Sequence, residues 1–105
     1  MNLEEFGLTF DEKARPEYPP DYIMAGKGCK TGRRIDDIKR LVEEYKGFHA
    51  DARNWSKQKA RYEVVDEYGQ IRQIEVHWYY HPNVGKCEDK IKFDEHGNYF
   101  VDLWE

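Results

Sequence analysis

The chain has 105 residues, room for one domain over 1–105 and not for a second. Acidic residues outnumber basic ones, 21 to 17, for a net charge of −4. That balance argues against a general nucleic-acid binder, whose affinity comes mainly from neutralising phosphates. No apolar run reaches the roughly 18 residues of a membrane span, so no membrane partner is expected. The acidic start lacks the apolar stretch of a secretory leader, and Cys29 and Cys87 read as reduced thiols, which points to a cytoplasmic protein.

Residues 1–32 read as an extended arm rich in Pro, Gly and Tyr. Arg15-Pro16-Glu17-Tyr18-Pro19-Pro20 favours an extended backbone. Phe6, Leu8 and Phe10 alternate with Gly7 and Thr9, which suits a short edge strand. The spacing of Ile35, Ile38, Leu41, Val42 and Tyr45 predicts a helix over 33–46 with one apolar stripe. Thr31 is placed to cap its start and Gly47 to stop it.

From residue 57 the period changes to two. Ala60, Tyr62 and Val64 alternate with charged residues, as do Ile74, Val76, Trp78 and Tyr80, then Ile91 and Phe93, then Tyr99, Val101 and Leu103. Strands are predicted at 58–65, 71–80, 86–93 and 99–104. Asp66-Glu67-Tyr68-Gly69-Gln70 and Asp94-Glu95-His96-Gly97-Asn98 each suit a hairpin loop with a left-handed glycine. The expected fold is α+β: one helix packed on a four-stranded antiparallel meander sheet (57–104), with an irregular N-terminal arm.

Keeping apolar residues on one face sets the register. Tyr62 opposes Ile74, Ala60 opposes Val76, Val76 opposes Ile91, and Tyr80 opposes Cys87. The helix stripe is expected to cover this apolar face. The other face then carries cross-strand rows: Lys59, His77, Lys90 and Asp102; Arg61, Glu75, Lys92 and Phe100; and Lys57, Tyr79, Glu88 and Trp104.

A histidine beside a carboxylate and several cations is what metal-independent RNA cleavage requires. One group takes the 2′-hydroxyl proton, and cations stabilise charge developing on the phosphate. His77, Lys59, Lys90, Arg61, Glu75 and Tyr79 are the catalytic candidates; the competing expectation is a solvated face knitted by ion pairs. In the order of its elements, a helix followed by an antiparallel sheet, the segment 33–104 resembles small ribonuclease toxins of the barnase and RelE type. That resemblance implies RNA as substrate.

Lys27, Lys30, Arg33 and Arg34 make a basic, glycine-rich stretch that runs into the start of the predicted helix, where free N–H groups favour an anion. The loop lacks the glycine-lysine order of a nucleotide-binding phosphate loop. No zinc-type spacing links the histidines and cysteines, so neither metal nor cofactor is expected. Three functions fit: a non-catalytic accessory, inhibitor or immunity-type protein that binds another protein; a ribonuclease acting through the His77 face; or a structural homodimer.

Overall fold

The computed structural model describes Gly7, Thr9, Phe10 and residues 22–92. Five strands and one helix lie among them. Strand β1 is Thr9–Phe10, β2 Tyr22–Gly26, β3 Ser56–Val65, β4 Ile71–His81 and β5 Gly85–Lys92; helix α1 is Ile38–Glu44. The protein is an α+β fold with an antiparallel sheet, whose main path runs β1-β3-β4-β5 while β2 also pairs with β3. The expected strand at 99–104, with Phe100, Asp102 and Trp104 and the turn before it, lies outside the described residues.

The β3–β4 hairpin has the expected register, from Val65 opposite Ile71 to Ser56 opposite Tyr80. Its loop closes as the sequence suggests. Asp66 N–H donates to the Gln70 carbonyl (2.9 Å), Gly69 N–H donates to the Asp66 carbonyl (3.0 Å), and Gly69 is left-handed.

Strand β5 follows the expected pairing only in part. Val76 opposes Ile91 and His77 opposes Lys90, but Tyr79, not Tyr80, opposes Cys87. Trp78 thus faces two residues, Glu88 and Asp89, and Glu88 takes a left-handed φ of 55°. This β-bulge turns Cys87 to the face opposite the one expected.

The helix is shorter than the periodicity suggests, and residues 33–37 are not helical. The backbone there is already committed elsewhere. Gly26 N–H donates to the Arg33 carbonyl (2.7 Å) and Lys27 N–H to the Trp55 carbonyl (2.8 Å). Ile35 is buried as an anchor ahead of the helix. Gly26 is required at this crossing: its φ is +82°, and a Cβ would collide with the Trp55 carbonyl oxygen. Gly47 does not stop the helix, because a 3-10 turn (Lys46–Phe48) continues it and left-handed His49 ends it.

Two cores lie on opposite faces of the sheet. One holds Ala60, Val64, Ile74, Val76, Trp78 and Ile91, with Tyr62 and Tyr80 against it. Its polar insert is satisfied: Trp78 Nε1 donates to Gln58 Oε1 (2.7 Å), and Gln58 Nε2 donates to Ser56 Oγ (2.9 Å). The second core holds Ala25, Ile35, Leu41, Ala50 and Trp55, packed by Ile38, Val42, Tyr45, Tyr79, Val84 and Cys87.

This corrects the expected packing. The helix stripe joins Tyr79 and Cys87, not Val76, Trp78 and Ile91. Alternation along a strand specifies which residues share a face but not which face a helix takes. Here β2 decides: Ala25 opposes Lys57, which delivers the 27–37 segment and α1 to the side bearing Tyr79. Glu88, lifted by the bulge, then ties the helix down. It accepts from Arg40 Nη2 (2.8 Å) and from Tyr45 Oη (2.8 Å). Beyond the helix, buried His81 packs at a tilt of 60° against Trp55, ring centroids 5.2 Å apart, and its Nε2 lies 2.9 Å from Asp51 Oδ1.

Candidate active site

Residues that pair directly across antiparallel strands share a face. Lys59 opposes His77 and His77 opposes Lys90; Arg61 opposes Glu75 and Glu75 opposes Lys92; Lys57 opposes Tyr79. The structure therefore brings all six catalytic candidates to one face of three adjacent strands. Tyr22 of β2 opposes Lys59 and extends the His77 row, with Lys59 Nζ 5.3 Å from its ring centroid. The arm's sequence carries no periodic signal that could have placed Tyr22 there.

The face is not the solvated surface that alternating charges suggest. Arg61, Glu75 and His77 are buried, at 4%, 7% and 7% exposure. Nor is it remote from the helix, whose core adjoins it at Tyr79. His77 Nε2 lies 3.0 Å from Glu75 Oε1, and Lys59 Nζ lies 3.5 Å from the same oxygen. The Nε2 approach is off the hydrogen-bond line, and among the described residues Nδ1 has no hydrogen-bond partner. A buried polar atom without a partner costs about 1–3 kcal/mol. Such a cost is commonly tolerated where the group has chemistry to perform.

Burial pushes the His77 pKa down, and the charges of Lys92 and Lys57 push it further, against the pull of Glu75. The imidazole is neutral at pH 7. Burial acts to raise Glu75, yet His77 and then Lys59 outweigh it and hold the carboxyl below its usual range. Lys57 is also held down, first by burial and then by Lys92 and Lys90. A neutral base, a fixed carboxylate and an acidified ammonium group thus sit together.

The basic loop is divided. Arg33 and Arg34 line a cavity of about 180 Å³ with Lys57, Tyr79, Asp36 and Asp37. Lys30 lines a different cavity, of about 290 Å³, beside Cys29 and Thr31, and Lys27 borders neither of these two. The expected helix-terminus site is corrected, since α1 starts only at Ile38. Tyr79 Oη donates to Asp37 Oδ2 (2.9 Å), and burial followed by that bond pushes its pKa up to about 12. Lys57 and Asp37 were not foreseen as members of one site, because the path of residues 22–37 over the sheet brings them together.

Among the described residues, no group of three His, Cys, Asp or Glu side chains converges to hold a metal ion, and no helix is long and apolar enough to cross a membrane. No protein-family model matches the chain, and no curated protein or solved structure matches it.

Proposed function

We propose that the chain is a ribonuclease that cleaves the RNA backbone without a metal ion, acting through the His77 face. The observation that carries this reading is the buried His77 imidazole: its Nδ1 is unpartnered, Glu75 lies 3.0 Å from its Nε2, and lysines lie on both neighbouring strands. A structural histidine would have both nitrogens satisfied, as His81 does through Asp51 and the Asn83 N–H.

In this mechanism the His77 imidazole takes the proton of the 2′-hydroxyl, and the 2′-oxygen attacks the adjacent phosphorus. Glu75 stabilises the imidazolium that forms. Lys59 and Lys92 stabilise the charge gathering on the phosphoryl oxygens. The P–O5′ bond breaks, and the departing 5′-oxygen takes a proton from the Lys57 ammonium. The products are a 2′,3′-cyclic phosphate end and a 5′-hydroxyl end.

Incubating the chain with a fluorescent oligoribonucleotide in excess chelator tests this. Cleavage leaving cyclic phosphate ends is expected, with a rate that rises as His77 loses its proton below pH 6.5 and falls as Lys57 loses its own below pH 10.5. His77→Ala should lower the rate by at least about a hundredfold, the usual contribution of a general base. No cleavage of any RNA would sink the reading and return the chain to the interaction proteins that its acidic balance suggests.

A further inference from the structure

We infer that the cavity bounded by Arg33, Arg34, Lys57 and Tyr79 is a second phosphate subsite, holding the backbone phosphate next to the one cleaved at His77. This inference rests on the ribonuclease reading and names its substrate: single-stranded RNA carrying at least one phosphate beyond the scissile one.

The geometry supplies the register. Lys57 and Tyr79 are each two residues along their strand from Lys59 and His77, which places the cavity roughly 7 Å from the imidazole row. That separation is comparable with the step between successive phosphates of an extended single strand. The cavity's charge suits an anion. Three cations face two carboxylates, and one of those, Asp37, is already engaged by Tyr79 Oη (2.9 Å) and by Arg40 (3.7 Å). Guanidinium groups bind phosphate oxygens in pairs, so two adjacent arginines offer two such forks. Arg33 and Arg34 are exposed, and Lys57 is half-buried. At about 180 Å³ the space accommodates a phosphate and several waters.

The test uses the full chain and fluorescent 2′-O-methyl oligoribonucleotides, which cannot be cleaved, two and eight nucleotides long. Binding is read by anisotropy across a salt series. Arg33→Ala and Arg34→Ala should each weaken octamer binding roughly tenfold, as loss of a charged hydrogen bond does. Each should also reduce the salt slope by about 0.7, the single-strand value for one phosphate contact. The dinucleotide, with one phosphate, should bind all variants equally, and Lys39→Ala on the outer face of α1 should match the parent. Octamer binding unchanged in both arginine variants would overturn the subsite, as would an equal loss with the dinucleotide. The two readings fail separately. A chain that binds the octamer through these arginines but never cleaves RNA loses the ribonuclease reading; one that cleaves RNA indifferently to both arginines loses the subsite.

Discussion

Replacing His77 by leucine should make the protein more stable. The imidazole is 7% exposed, and its Nδ1 has no partner. Such an orphan costs about 1–3 kcal/mol, and an apolar side chain of similar volume removes that cost. Glu75 loses one neighbour but keeps Lys59 at 3.5 Å, which sets the expected gain at the lower end, about 1 kcal/mol. In a domain of this size that is a rise of roughly 4–8 °C in Tm. Urea unfolding at pH 7.5 and pH 5.5 sharpens the test. The folded-state pKa of His77 lies below its unfolded value of 6.5, so the unfolded chain takes up its proton first as pH falls. The parent therefore loses stability from pH 6.5 downward, until the folded-state pKa is passed. His77→Leu should lack this part of the pH dependence and show no RNA cleavage. A variant destabilised by 1 kcal/mol or more, or one keeping the full pH slope, would show that His77 is a satisfied structural residue; the threshold is about the net worth of one hydrogen bond.

Trp78→Ala should cost about 3–5 kcal/mol by urea unfolding, because it empties the sheet-only core and strands Gln58; a cost below about 1 kcal/mol would contradict that packing. Gly26→Ala should cost about 3 kcal/mol or more, combining a left-handed φ with a backbone collision, and a neutral result would show that the loop crosses elsewhere. Asp51→Ala leaves the buried His81 Nε2 without its acceptor and should cost about 1–3 kcal/mol by urea unfolding, and less when made in a His81→Ala background; an undiminished cost there would show that the pair is not coupled.

The hairpin geometry was legible because two signals agree. Alternation at Ala60, Tyr62, Ile74 and Val76 sets the faces, and the Asp66–Gln70 loop sets the register. Together they put Lys59, His77 and Lys90 in one row, and Arg61, Glu75 and Lys92 in the next. The burial of that face was not legible. Charged residues alternating with apolar ones read as solvated, and a strand's own alternation reports neither the docking of β2 beside β3 nor the helix-side core next to Tyr79. The bulge had no signature either. A left-handed residue is usually glycine or asparagine, and here it is Glu88, held by Arg40 and Tyr45 across more than 40 residues of chain. Propensity also extended the helix too far toward its start, because Arg33 and Ile35 are claimed by tertiary contacts.

The bulge at Glu88 makes β5 a strand with a change of phase. From Lys90 onward its even and odd positions keep step with His77 and Val76 respectively; before it, at Cys87, the parity is reversed. Removing a single residue there would restore one parity along the whole strand. Cys87 would swing to the Trp78 side, and the carboxylate that clamps Arg40 and Tyr45 would be displaced, while Lys90 and Lys92 stayed opposite His77 and Glu75. One inserted residue thus separates two mechanical duties within a single strand. Its second half aligns the cationic row, its first half moors the helix, and each can drift in sequence without dragging the other along.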